Sequence, residues 1–230
     1  MEGSCASGFG TCCVVRLGTC GGVVTTNVTL LQNPNFPSKY SSAGTCVYLV
    51  KRLNDDICQL RLDFNKFTTG YSSSSPTGCV TGTTDILSFT AQNSVSYPSV
   101  CGDISGQHMY FDAGTTGDSL ELTFSLVGTT ERQWNILVSQ IACTDPWRAP
   151  ADCLQYHTGV TGNIQSFNFP NGQLLSSQAY RICFRQELGK SFEFDIAGGF
   201  RNETYHILEA QKITLILNYI NGFLEIPNFF

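Results

Sequence analysis

The sequence predicts an all-β sandwich, and three observations predict it: short runs with a period of two, turn formers between those runs, and no long helical period. Cysteine placement reinforces them. Four of the eleven cysteines, Cys20, Cys46, Cys79 and Cys101, punctuate the alternating runs between Cys20 and Cys143. Short strands framed by cysteines point to binding rather than catalysis.

Residues 1–19 form a Cys-containing leading segment. Vicinal Cys12 and Cys13 cannot easily bridge each other, so each must find another partner among Cys5, Cys58, Cys143 or cysteines further upstream. The opening Met1-Glu2-Gly3-Ser4-Cys5 lacks the basic and apolar regions of a signal peptide. An odd cysteine count also leaves one thiol without an internal partner. Both features are read as a true start upstream of Met1.

The first strong strand is Cys58-Gln-Leu-Arg-Leu-Asp-Phe64, where Cys58, Leu60, Leu62 and Phe64 share one face and Gln59, Arg61 and Asp63 the other. That pattern predicts a half-buried antiparallel strand. The same period returns in Leu120, Leu122, Phe124 and Leu126, and again in Trp134, Ile136 and Val138. Turn formers separate the runs at Asn33-Pro34-Asn35, at 72–78 and at Gly114 to Gly117. Cys58 on an inward position and Cys143 after the last strand are candidates for a further bridge; a buried free thiol at Cys58 is the other reading.

Composition narrows the function classes. Apolar residues at 42% with 12% aromatic are enough for a core, and 13% charged residues is low for a cytosolic enzyme. Eleven cysteines without CxxC spacing fit a disulfide scaffold in an oxidising compartment, so the expected localisation is secreted and extracellular. A net charge of −5 without a basic run gives nucleic-acid binding no electrostatic source. No apolar stretch reaches the roughly eighteen residues of a membrane span; Ile213 to Ile226 is interrupted by Asn218, Asn221 and Gly222.

Taken together, Cys20-Gly-Gly, Asn33-Pro-Asn-Phe-Pro37 with Tyr40, Cys46-Val-Tyr48, Leu60 to Phe64, Asp85, Cys101-Gly102 and Leu120 to Phe124 resemble a CUB domain spanning 20–143. The segments Gly8 to Cys13, Gly106-Gln-His-Met-Tyr110 and Cys153 to Gly159 resemble secreted CUB-containing proteins of insects and other arthropods. The resemblance implies a jelly-roll-like sandwich bridged from Cys20 to Cys46 and from Cys79 to Cys101. Those bridges would close loops of 27 and 23 residues and stabilise by about 3.5 kcal/mol each on the chain-entropy model.

A second module is indicated by an internal repeat. Asn35-Phe36-Pro37 returns as Asn168-Phe169-Pro170, and Cys20 returns as Cys153, both at an offset of 133 (168 − 35 and 153 − 20). The linker 144–152 carries two prolines, and 153–187 reads as the start of a second CUB-like domain. From 188 to 230 the resemblance stops, there is no cysteine, and Tyr205, Leu208, Lys212 and Leu215 fall at partly helical spacing. This tail is read as a truncated or alternative ending that leaves the second sandwich open, with aggregation-prone edges.

No residue set carries catalysis. Gly117-Asp118-Ser119 superficially resembles a serine-protease nucleophile, but Leu120-Glu121 follows it and Ser119 begins an alternating strand. His108, His157 and His206 lie in separate segments and assemble no metal site from sequence, so each is expected as a surface or partly packed side chain. Calcium-binding CUB domains use one Glu and two Asp. Here Asp85 matches, while Thr68-Thr69-Gly70 and Ser125-Leu126 stand where the other carboxylates are expected. No cofactor is expected. Asn27-Val28-Thr29 and Asn202-Glu203-Thr204 are acceptors for N-glycosylation, with Asn27 the credible surface site. The resulting expectation is a noncatalytic extracellular recognition module that binds a protein or carbohydrate through its loops. The alternative is the regulatory N-terminal part of a secreted CUB-containing serine protease, and a third reading is a nonfunctional fragment.

Overall fold

The computed structural model describes residues 3–5, 10–12, 15–71, 79–91, 95–115, 117–169, 175, 178–185, 187, 192–194, 205–207, 213–220 and 223–225. Cys13, the turn at 72–78, Pro170, Asn202, Leu208 and Lys212 lie outside these residues.

A short antiparallel pair, β1 (Gly3–Cys5) and β2 (Gly10–Cys12), precedes the first sandwich. Its strands are β3 (Val15–Leu17), β4 (Gly22–Val24), β5 (Val28–Gln32), β6 (Gly44–Lys51), β7 (Ile57–Thr68), β8 (Ile86–Ala91), β9 (His108–Asp112), β10 (Ser119–Leu126) and β11 (Gln133–Ala142). They form a four-stranded sheet in the order β4-β6-β10-β8 and a five-stranded sheet in the order β3-β5-β11-β7-β9. Both sheets are mixed, since β4 joins β6 and β3 joins β5 in parallel.

The period of two fills the space between the sheets. Leu120, Leu122, Phe124 and Leu126 of β10 face Leu60, Leu62 and Phe64 of β7 and Trp134, Ile136 and Val138 of β11 in one buried cluster. Phe124 stacks on Trp134 with ring centroids 4.6 Å apart. A register shift between β7 and β11 leaves Asn65 unpaired, with Lys66 opposite Asn135 and Phe64 opposite Ile136. That bulge resets the alternation, so Phe67 also points inward although it lies three residues after Phe64.

Disulfides clasp the sandwich at Cys20–Cys46, Cys79–Cys101 and Cys58–Cys143. The third resolves the open choice at Cys58: the cysteine is bridged, not a buried free thiol.

The second module holds β12 (Gln155–His157), β13 (Ala179–Phe184), β14 (Phe192–Phe194), β15 (Tyr205–Ile207), β16 (Ile213–Ile220) and β17 (Phe223–Glu225). Its strand orders are β12-β13-β16-β17 and β14-β15, and Cys153–Cys183 pins it. The helical spacing read between Tyr205 and Leu215 is not realised over Ile213–Ile220, which is strand. The run Ile-Thr-Leu-Ile-Leu favours strand, and partners on both sides, β13 and β17, satisfy its backbone.

Candidate functional site

Edge strand β9 carries the junction between the modules. Its outer face and that of β7 present three paired rows: Gln59 opposite Asp112, Arg61 opposite Tyr110, and Asp63 opposite His108. Alternation in the sequence put Gln59, Arg61 and Asp63 together on the polar face of a half-buried strand. The linker covers the first of them, so that Gln59 is only 3% exposed, while the side chains of Arg61 and Asp63 keep 35% and 26% of their surface in solvent. Sequence periodicity reports which residues share a face but not what covers that face.

Gln59 binds the linker at two points, with its Nε2 donating to the Ala149 carbonyl at 3.2 Å and its Oε1 accepting from the Ala149 N–H at 2.8 Å. One row along, the Tyr110 N–H donates to the Leu154 carbonyl at 2.8 Å, and the Leu154 N–H to the Arg181 carbonyl at 3.0 Å. A continuous hydrogen-bonded path thus runs from β9 to β13. In the third row the Tyr156 N–H donates to Nε2 of His108 at 3.1 Å. The rings of His108 and His157 lie 4.9 Å apart, and His157 stacks on Phe184. The two histidines, expected in unrelated environments, are neighbours across the seam. His206 lies in β15.

Arg61 anchors the middle of this face. Its Nε bonds both Asp63 oxygens at 3.0 Å, and its Nη1 donates to the Tyr110 hydroxyl at 2.7 Å. Burial works against the Arg61 charge, but Asp63 and Tyr110 outweigh it and hold its pKa above the ordinary value. Burial, then Arg61 and His157, push His108 down to about 3, and burial followed by Arg61 lowers His157. Both shifts favour the neutral imidazole at this junction.

Beside the seam lies a groove of about 450 Å³. The loop Val95 to Pro98 and strand residues Tyr110 and Asp112 wall it on one side, with Asp152 and Arg181 on the other. Val95 is exposed, and the Asp112 N–H donates to the Tyr97 hydroxyl at 3.3 Å. Burial, then Asp152, raise the Asp112 carboxyl pKa, while Arg148 opposes them. Arg181 reaches Asp152 at 3.3 Å with both side chains largely in solvent.

At the opposite kind of site, Asp85 is sealed. Its carboxylate accepts from Arg132 Nε and Nη2 at 2.7 and 2.8 Å, from the Gly70 N–H at 2.7 Å and from the Val127 N–H at 2.8 Å. Four donors occupy both oxygens, and a guanidinium supplies the positive charge a cation would bring. Among the described residues no group of three His, Cys, Asp or Glu is placed to hold a metal ion. Asp118 accepts from the Thr115 N–H and hydroxyl in a turn, and Ser119 pairs with Lys51 at the start of β10. The Gly117-Asp118-Ser119 segment is therefore turn and strand. Asn27 is exposed just before β5.

A CUB domain model matches residues 20–136, and an animal CUB domain model matches residues 150–205. The chain belongs to the CUB domain family. CUB domains are noncatalytic binding modules typical of extracellular proteins, and the disulfides of this CUB protein fit that setting. No helix among its described residues is long and apolar enough to cross a membrane. Among solved structures, it is similar to the full extracellular region of zebrafish Gpr126/Adgrg6, with 16% identity and a TM-score of 0.41 over 54% of this chain and 15% of that one. It is also similar to the CUB1-EGF-CUB2 domains of rat MASP-1, with 12% identity and a TM-score of 0.40 over 84% and 90% of the two chains. For the CUB1-EGF-CUB2 domain of human MASP-1/3 the values are 15% and 0.39 over 61% and 48%. The CUB protein thus spans about a seventh of the zebrafish region it matches. No curated protein matches it.

Proposed function

We propose that this CUB protein is a noncatalytic, secreted recognition module that binds a protein or glycan ligand through the loop-walled groove between its modules. The observation that carries the reading is the groove itself, where an exposed aliphatic residue, Val95, stands beside Tyr97, Asp112, Asp152 and Arg181. A concave surface with apolar walls and a few convergent polar groups is the usual form of a recognition site. The mixture of charge signs and the exposed Val95 favour a protein loop over a glycan. The segment Cys153 to Gly159 resembles secreted CUB-containing proteins of arthropods, which supports an extracellular setting. A catalytic domain continuous with this chain would make the same groove a docking surface on the regulatory arm of a protease.

Screening the oxidised chain against arrays of extracellular proteins and of glycans tests the reading. The expected result is a binder whose affinity falls at least tenfold for V95E and for R181E, both at solvent-facing positions. A binder indifferent to both substitutions, or no binder on either array, overturns the groove as the recognition surface.

A further inference from the structure

The seam holds two imidazoles in a setting that tolerates only their neutral forms. His108 Nε2 accepts the Tyr156 N–H across the junction, and an acceptor nitrogen carries no proton, so the His108 proton must sit on Nδ1. A second proton on His108 would occupy Nε2 and turn a bond between modules into a clash of two N–H groups. His157 lies against the same ring at 4.9 Å, and its buried Nε2 has no hydrogen-bond partner among the described residues.

The charged groups around the pair do not rescue protonation. From β7, Arg61 adds positive charge, and Asp63, opposite His108, is already committed to Arg61 through three contacts. From β9 the Tyr110 ring meets His108 edge-on, with its hydroxyl held by Arg61. From the second module, Tyr156 contributes its N–H and Phe184 stacks on His157. Beyond Phe184, Arg185 and Glu187 pair with each other at 2.7 Å, and Glu187 also accepts the Gly159 N–H.

We propose that His108 and His157 form a pH-operated latch: neutral imidazoles hold the second module against β9, and their protonation releases it. The sign follows from linkage. A histidine whose pKa is lowered in the closed seam contributes fully to closure above its ordinary value of 6.5, and that contribution is lost as pH falls from there toward the lowered value. With His108 at about 3 when closed, the closed-to-open ratio drops about 30-fold between about pH 7.5 and about pH 5 from this residue alone. His157 acts in the same direction. The latch requires no ligand, so its failure and failure of the groove as a binding surface are separate results.

Amide hydrogen exchange of the intact, oxidised chain, normalised for the intrinsic pH dependence, tests the latch. Between about pH 7.5 and about pH 5, protection at Tyr110, Leu154 and Tyr156 should fall by about 30-fold or more, while amides of β10 and β11 keep theirs. In H108Q/H157F, where the glutamine carbonyl can accept the Tyr156 N–H at any pH, the seam should become insensitive over this range. Equal loss across seam and core, or an unchanged pH response in the double variant, overturns the proposal. Should the variant fail to fold, NMR titration of the native histidines decides: values well below 6.5 for both support the latch, and ordinary values refute it.

Discussion

Arg132 and Asp85 face each other in a two-point ion pair with both side chains closed to solvent. Arg132 also donates to the carbonyls of Ser42 and Val127, so the pair ties three loops at one end of the sandwich. Removing one partner strands a buried charge, which costs about 3–5 kcal/mol. D85A and R132M are each expected to lower unfolding stability by that amount in urea titrations. The combined D85A/R132M variant should lose less than the sum, because it leaves no lone charge.

Calcium offers an independent check on the same site. With Gly70, Val127 and Arg132 filling both Asp85 oxygens, millimolar calcium should leave the thermal midpoint unchanged in a chelator-controlled melt. A calcium-dependent rise would mean that the carboxylate exchanges its protein donors for the ion.

Among the described bridges Cys58–Cys143 closes the longest loop, with a separation of 85 residues against 22 for Cys79–Cys101. Chain entropy then assigns about 4.5 kcal/mol to the first and about 3.5 kcal/mol to the second. Replacing each pair by alanine and comparing denaturation midpoints should rank C58A/C143A as the more damaging. The opposite ranking would show that native-state packing around Cys101 outweighs loop length.

Gly102 lies at φ +78°, and a Cβ there would sit 2.0 Å from Asn168 Oδ1. G102A should therefore destabilise by at least about 2 kcal/mol through backbone strain and by displacing Asn168. The displaced side chain would also lose the Asp103 N–H it accepts at 3.1 Å. Chemical denaturation of G102A against the native chain measures the effect.

Asn27 is exposed, and the hydroxyl of Thr29 in its acceptor tripeptide is buried against Thr26 at 2.6 Å. Glycan transfer must precede closure of that pocket or proceed through local opening. Protein secreted from eukaryotic cells is expected to lose mass on N-glycosidase treatment at this site, and N27Q to abolish that part of the shift without altering the melting profile.

Legibility in the sequence divided along physical lines. The inward faces of β7, β10 and β11 could be read because a period of two is a local property. The repeat between Asn35 and Asn168 was also legible, and both residues adopt left-handed φ, 61° and 65°. Arg132 was overlooked: nothing local marks a single arginine between Glu131 and Gln133 as wholly buried, and its partner lies 47 residues away. The seam was hidden for the same reason. His108 and His157 meet only because residues from the linker onward fold back onto β9, and hydrophobic patterning in β7 says nothing of a lid made of Ala149 and Tyr156. A buried glutamine such as Gln59 on a nominally polar face was the one available clue, and it became visible only with the Ala149 backbone in place.

The bond from Tyr110 to Leu154 has a consequence for biosynthesis. During translation the last strand of the first sandwich, β11, is complete at Ala142, twelve residues before Leu154 (154 − 142), so the sandwich emerges with an unfinished border at β9 that any extended chain could extend. Escape from that interval depends on how soon the following segment arrives. Recombinant fragments ended at residue 143 would hold the protein permanently at that stage, and their yield would be set by crowding among nascent copies rather than by the intrinsic stability of the domain.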